Sequence, residues 1–560
     1  MISKNFYARF DFLFFFSCIF FSQYNLLFSQ VSTATITGKV TDSTGLQPLT
    51  GISILVSGIN YETLTDLNGT YIINDIPTGV YSLVASALGY KTVVKKNVRI
   101  AAHSLQYIDF HLSEKLALVP EVTIRPRNFQ EDFNEFTGSL RLSKEEIKRI
   151  PGNLDDVVRS VSVLPGIAQM TNYRNDMIVR GGAPSENLFL VDGMIVPNIN
   201  HFGSQGNTGG IMSYINMDYV NSVTFSTGGF SALYGDKISS VMEISLKDGK
   251  KDHLGGKVVI SATQFGLNLE GPLNQNTDFI VSARRSYLDL VFKASGFIFA
   301  PQYYDLFAKV HSKISNSSSV SIIFLGAMDN VKFFEKESDE RYSNPRAMGS
   351  NQKQYVAGIS YKNIFSKGYY NLSFNRNSIN YETVPNFIFE NHSIESEDIF
   401  KSDFVFSFAP TSELNFGTIT KVINFKTDIK LYRFRTTFEE ELKVNSLSAD
   451  NQYLKTGAYV QFNKLLWDKL RLNVGGRIDF FDGTTEEYTT SPRFALQYSL
   501  SELTDLSLSM GIYHQAPNSL WIAADSTNMN LLSTRSDQLV LGIEQKIDSD
   551  MRVKFEGFYK

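Results

Sequence analysis

From about Gly255 onward the chain alternates with a period of two, and that pattern constrains its fold more than any other feature. Leu472, Val474, Ile478 and Phe480 interleave with Arg471, Asn473, Arg477 and Asp479. Leu506, Leu508, Met510 and Ile512 interleave with Ser507, Ser509, Gly511 and Tyr513. Phe494, Leu496, Tyr498 and Leu500, then Met551, Val553, Phe555 and Tyr559, repeat the scheme. Successive strand side chains point to opposite faces, so each segment predicts a β-strand with one apolar and one polar face. Two architectures satisfy this: a membrane barrel with lipid outside and water within, or soluble sandwiches or a propeller with the apolar face inward. Periodicity alone does not separate them. No segment beyond the N-terminal leader approaches a spanning helix, so entry into a membrane requires a closed barrel.

Loop chemistry favours the barrel. Lys332–Ser350 and Glu382–Asp398 read as long polar connections, whereas Ser366-Lys367-Gly368 reads as a tight turn, the asymmetry expected of an outer-membrane barrel. The composition suits this, with 44 Phe, 27 Tyr and only 20% charged residues. A formal charge of −4 in 560 residues gives no global pull toward nucleic acid. The first thirty residues carry Lys4 and Arg9, run apolar from Phe12 to Phe21, and end near Ser29. A basic start and a short apolar core predict a secretory signal over residues 1–30, cleaved near Ser29. The single cysteine, Cys18, falls inside it. A mature chain without cysteine excludes disulfides and cysteine-ligated metal centres.

Residues 31–114 read as short strands between turns, predicting a β-sandwich. Thr35–Val40 and Ile52–Val56 are strands, and Asp66-Leu67-Asn68-Gly69 is a turn. A calcium loop there fails, because its twelfth position is Pro77 rather than a bidentate Glu. His111-Leu112-Ser113-Glu114 and His392-Ser393-Ile394-Glu395 match half of a zinc-peptidase pattern. No third ligand or general base accompanies either, so no enzyme is predicted, and no cofactor or metal is called for.

Residues 115–136 form a linker containing the apolar hexad Val119-Pro120-Glu121-Val122-Thr123-Ile124. This is either a spacer or an extended segment that adds a strand to a partner's sheet edge. Residues 137–250 begin with a capping box, Ser143 to Glu146, and a second helix predicted from Pro151 and closed by Pro165-Gly166. Arg180-Gly181-Gly182, Val191-Asp192-Gly193 and Gly229-Phe230-Ser231-Ala232 follow, with Tyr234-Gly235-Asp236 and Ser239-Ser240-Val241. The glycine-rich loop from Gly203 to Gly210 lacks the Gly-Lys-Ser/Thr of a phosphate loop.

These motifs resemble the plug domain of TonB-dependent outer-membrane receptors. The sandwich, through Gly38, Thr65-Asp66-x-Asn68-Gly69-x-Tyr71 and Pro77-x-Gly79-x-Tyr81, resembles the carboxypeptidase-regulatory-like domain, a transthyretin-like fold. The order sandwich, hexad, plug, barrel resembles receptors of Bacteroidetes-type bacteria. The resemblance implies a mainly β chain: a sandwich, an α+β plug at 137–250, and an antiparallel transmembrane barrel over 251–560. About 22 strands are expected in a plugged receptor barrel, and about fifteen or sixteen can be placed; with no aromatic terminus at Lys560, the expectation is a C-terminally truncated chain. It further implies active uptake of an extracellular ligand, such as a siderophore, another metal chelate or an organic nutrient. Val119–Ile124 would be the segment that contacts TonB, driven by the ExbB–ExbD complex. The sandwich would lie in the periplasm and the barrel in outer-membrane lipid. Arg180, Gly181 and Gly182 would form a tight turn, with Arg180 in a buried or interfacial ion pair and Asp192 facing an arginine of the wall. Gly193, Gly229, Tyr234, Gly235, Asp236 and Ser240 complete the plug signature. A passive barrel for adhesion or secretion, with the sandwich as a binding module, is the alternative.

Overall fold

The computed structural model describes residues 33–112 and 138–560, apart from 43–46, 58, 60, 88–89, 91, 102–103, 154, 170, 172–173, 262–263, 296–298, 334–348, 385–388, 410, 433, 436–440, 443–444, 502 and 548–550. The signal segment and the hexad Val119–Ile124 lie outside the described residues. Two compact units divide near Arg127.

The N-terminal unit is a sandwich of two sheets. Thr33–Asp42 is flanked by Thr70–Pro77 on one side and by Leu105–Tyr107 and Phe110–Leu112 on the other. The facing sheet runs Tyr61–Leu64, Ser53–Ser57, Gly79–Ser86, Val93–Ile100. Alternate residues Ile52, Ile54 and Val56 meet Ile36, Val40, Tyr71 and Phe110 in the core. The Asp66 carboxylate accepts the backbone N–H groups of Asn68 and Thr70 at 2.9 and 2.7 Å, and Gly69 takes φ +73. This carboxylate closes its own turn, as an Asx turn does. His111 bonds Thr41 at 2.7 Å. His392 and Glu395 sit three apart on a strand and so face opposite ways, which removes them as joint ligands.

Among the described residues the second unit is a sheet of sixteen strands around a smaller domain. Neighbouring strands pair antiparallel in sequence order from Gly255–Ile260 to Arg552–Tyr559. Its faces are reversed relative to a soluble protein: Val474 and Ile478 are about half exposed, while Asn473 and Arg477 are buried. Apolar side chains outward and polar side chains inward is the membrane-barrel arrangement. Among the described residues no helix is long and apolar enough to cross a membrane, which says nothing of strands. Tight connections at Phe365–Gly368, Ala409–Ser412 and Leu466–Leu470 lie at one end, and longer ones at the other.

Glu382–Asp398 departs from the expected loop. Gly368–Val384 and Phe389–Ala409 pair from Thr383↔Asn391 onward, so nearly all of that stretch is strand. Neighbouring strands reach 20 and 22 residues, against about 10 needed to cross a bilayer at a tilt. Over Asn391–Asp398 both faces carry polar side chains, so the alternation that marks a strand disappears.

Inside the sheet, residues 138–250 form a five-stranded sheet ordered Met194–Val196, Asn187–Val191, Ser240–Leu246, Val220–Ser226, Ser139–Ser143. Asn187–Val191 is buried throughout and runs parallel to Ser240–Leu246. Phe189 and Val191 face one core with Met242, Ile244 and wall residues Phe307 and Ile323. Leu188 and Leu190 face a second core with Phe230, Ile399 and Tyr513. The Ser143 capping box forms as expected and starts the helix Lys144–Arg149. The next helix begins at Val157, not Pro151: Asp156 caps it, accepting the N–H groups of Val158 and Arg159. A side-chain cap fixes a start more strongly than a favourable proline does.

The plug–wall interface as candidate functional site

Each plug motif makes a backbone shape that brings a polar group to the wall. At Arg180 and Gly181 φ reaches +48 and +78, and the Arg180 N–H donates to Gly166 O at 2.9 Å, joining this turn to the Pro165-Gly166 motif. Gly182 leaves no room for a side chain: a Cβ would lie 1.8 Å from Ser239 Oγ. The Arg180 guanidinium is buried, meets Glu556 at 2.5 Å and lies 4.7 Å over the Phe558 ring.

Asp192 and Gly193, at φ +48 and +78, form a two-residue turn between Asn187–Val191 and Met194–Val196. Both central residues take positive φ, as the mirror-image hairpin turn requires. Asp192 meets Lys309 of the wall at 2.9 Å and accepts Leu246 N–H at 2.7 Å. The wall partner is therefore a lysine, not the expected arginine; an inward ammonium on a flexible stem reaches a turn that a planar guanidinium need not.

The segment Gly229–Asp236 lies against the opposite wall, with Gly229 at φ +65. The Arg493 guanidinium donates to the carbonyls of Phe230 and Ser231 and lies 4.3 Å from the Tyr513 ring. Gly235 packs on the Arg477 guanidinium, where a Cβ would fall 2.1 Å from Nε. Tyr234 donates to Glu243 at 2.9 Å, and Ser240 to Asn187 at 2.7 Å, both within the plug. Asp236 takes φ +59 and reaches Lys455 at 3.0 Å and Lys421 at 3.8 Å. Burial favours its neutral acid, but Lys455, Lys421 and Lys237 outweigh burial and hold its carboxyl well below the usual range.

A fourth contact went unnoticed in the sequence. His201 is wholly buried and lies between two wall carboxylates, Asp329 on Nδ1 at 2.5 Å and Asp305 on Nε2 at 3.3 Å. Asp305 also takes Arg284 at 2.7 Å. The motifs do not signal this histidine. Of the wall groups, Arg477 falls on the polar phase read from the sequence, whereas Lys421 shares its strand face with the apolar Ile419, Ile423 and Phe425, so alternation does not single it out.

Between plug and wall lies a pocket bounded by Leu188, Leu190 and Asp236 on the plug and by Lys421, Lys455 and Arg477 on the wall. Among the described residues no cluster of metal-ligating side chains occurs.

The domain order has counterparts among known proteins. Residues 36–124 match the CarboxypepD_reg-like domain, and residues 112–241 the TonB-dependent receptor plug domain. Residues 264–560, more than half of the chain, match the TonB-dependent receptor-like β-barrel. The chain belongs to the TonB-dependent receptor family. A relative, the TonB-dependent transporter Oar of Myxococcus xanthus, is 26% identical over 236 residues, covering 40% of this chain and 21% of that protein. The TonB-dependent receptor SusC of Bacteroides thetaiotaomicron is 25% identical over 247 residues, covering 41% and 23%. The chain thus matches less than a quarter of these relatives' length. Among solved structures, the siderophore receptor PirA of Acinetobacter baumannii superposes with a TM-score of 0.57 at 16% identity, covering 74% of this receptor and 69% of PirA. The outer-membrane transporter YddB of Escherichia coli gives 0.56 at 13%, covering 73% and 67%. At these identities the likeness is one of fold. The curated relatives are named as receptors and transporters, in keeping with the absence of a catalytic constellation from the sequence reading.

Proposed function

We propose that this receptor takes up an extracellular ligand actively, with the plug as the moving part. The ligand would be a siderophore, another metal chelate or an organic nutrient. The carrying observation is the nature of the plug–wall contacts. Arg180–Glu556, Asp192–Lys309, His201–Asp329 and Asp236–Lys455 are discrete ion pairs between a domain and the wall that surrounds it. Such contacts can re-form as wetted groups when they separate, while the apolar area that the plug also shares with the wall, at Phe307 and Ile323 and at Ile399 and Tyr513, would have to be exposed to water. In this reading Val119–Ile124 adds a strand to TonB, whose work comes from ExbB–ExbD. The barrel lies in the outer membrane and the sandwich, residues 31–114, in the periplasm. Arg180, Gly181, Gly182, Asp192, Gly193, Gly229, Tyr234, Gly235, Asp236 and Ser240 then hold the resting plug. Deleting Val119–Ile124 tests this: uptake should vanish while cells still bind ligand at their surface. Uptake that survives the deletion would mean a passive barrel.

A further inference from the structure

Around Asp236 the ion pairs are not one to one, although Glu487 also lines the chamber. Elsewhere in the chamber each cation has its own carboxylate: Arg477 meets Asp479 at 2.7 Å and Lys401 meets Asp403 at 2.9 Å. At Asp236 three ammoniums, those of Lys455, Lys421 and Lys237, act on one carboxylate. Its Oδ2 is shared by Lys455 at 3.0 Å and Lys421 at 3.8 Å, and its Oδ1 is taken by the Ala516 N–H at 3.0 Å. Lys421 and Lys455 stand directly opposite in the ladder, an arrangement of like charges that costs stability. Lys237 donates to Ser185 O, with Glu397 the other carboxylate acting on it. Burial pushes the Lys237 ammonium down to about 8; Asp236 opposes this, and Lys421 and Lys455 add to it. Ammoniums crowded beside a cavity, at reduced dielectric, call for another anion.

We propose that this chamber is an oxyanion subsite, in which Lys421 and Lys455 take a carboxylate, phosphate or similar anionic group. The floor at Leu188, Leu190 and Ile195 would accept the apolar body that carries it. The source is then an anionic group borne by the ligand rather than a free ion. This deepens the receptor reading, on which its biological sense rests, but anion binding itself does not depend on TonB.

The test uses the purified full chain in detergent, carrying Trp467→Phe so that Trp521 is the sole tryptophan. Trp521 lies on the helix Ser519–Ala524, whose Ile522 packs in one cluster with Phe481 beside the chamber. Benzoate, its neutral isostere benzamide and inorganic phosphate are titrated against Trp521 fluorescence. Benzoate should bind at least about tenfold more tightly than benzamide, the worth of a charge-assisted hydrogen bond. Lys421→Gln should abolish that preference. This variant leaves Asp236 its closer partner Lys455, and unchanged hydrogen exchange in the plug would show that the fold is kept. Benzoate stronger than phosphate assigns the site to a ligand-borne group, and the reverse to a free anion. Absence of saturable binding, equal binding of benzoate and benzamide, or a preference that survives Lys421→Gln would overturn the subsite. The receptor reading fails separately: there the hexad deletion leaves uptake intact, whatever benzoate does.

Discussion

Replacing His201 with glutamine offers the sharpest test of how the plug is held. The imidazole is wholly buried, with a carboxylate on each nitrogen and its ring 4.4 Å from that of Tyr303. Burial alone would depress its pKa, yet Asp329 first and Asp305 with it raise it to about 9. An unfolded histidine titrates near 6.5. Because the folded value is raised, the charged pair contributes its full stability below about pH 6.5 and loses it as pH rises through about 9. The difference is worth about 3 kcal/mol. The amide introduced by His201→Gln could donate to one carboxylate and would leave the other with its remaining partner alone, the Phe202 N–H for Asp329 or Arg284 for Asp305. Breaking a buried pair in this way costs about 3–5 kcal/mol. Hydrogen exchange of the peptide spanning residues 199–214, corrected for intrinsic rates, reads the opening free energy of this part of the plug. The wild type should be most protected below pH 6.5 and lose protection between about pH 7 and 9.5. His201→Gln should be weakly protected and flat across that range. A flat wild-type profile, or a variant as protected as the wild type at pH 6, would refute the paired-imidazolium account.

Other contacts give distinct expectations. A double-mutant cycle of Asp192→Asn with Lys309→Met should show coupling of about 1–3 kcal/mol in plug exchange, since both groups are largely buried. Zero coupling would remove this pair from the interface. Gly182→Ala forces a Cβ onto Ser239 and Glu186, and should destabilise the plug by about 1–3 kcal/mol, seen as faster proteolysis within residues 138–250. Ser143→Ala breaks the capping box and should cost about 1 kcal/mol, confined to exchange of Lys144–Arg149.

The legible part of this fold was whatever rests on local rules. Alternation gave the inward and outward faces of Leu470–Phe481 and Thr504–Gln515, because lipid and lumen impose opposite polarity on adjacent residues. The glycine motifs marked turns because positive φ leaves few alternatives at Gly181, Gly193 and Gly229. What local rules could not reach were the pairings across hundreds of residues. Nothing near Asp192 distinguishes Lys309 from an arginine, and nothing near His201 points to Asp305 and Asp329. The long strand ends were hidden for a different reason: over Asn391–Asp398 polar side chains occupy both faces, Asn391, Ser393 and Glu395 toward the plug and His392 and Asp398 away from it, so the stretch has little polarity contrast to alternate.

That division bears on how the plug can be firmly seated and still movable. One side of its sheet shares an apolar core with the wall at Phe307, Ile323 and Leu325, and the other a smaller one at Ile399 and Tyr513. Between them the wall presents charges, and the plug answers through short turns at Arg180, Asp192, His201 and Asp236. Arg180, Asp192 and Asp236 sit in turns between plug strands, and His201 ends the two-residue strand Asn200–His201. A pull on the chain ahead of Gly138 would first meet Ser139–Ser143, the edge strand of the plug sheet, held on one side only by Val220–Ser226. The Gly138 N–H donates to Glu556 at 2.9 Å, and the same carboxylate carries Arg180. Displacing that edge strand therefore strips one donor from the carboxylate that fixes the Arg180 turn. Hydrogen exchange under Glu556→Gln should accordingly rise in Ser139–Ser143 and around Gly181 together, with the Asp192 hairpin unchanged. Loss of protection at only one of the two sites would show that Glu556 does not link them.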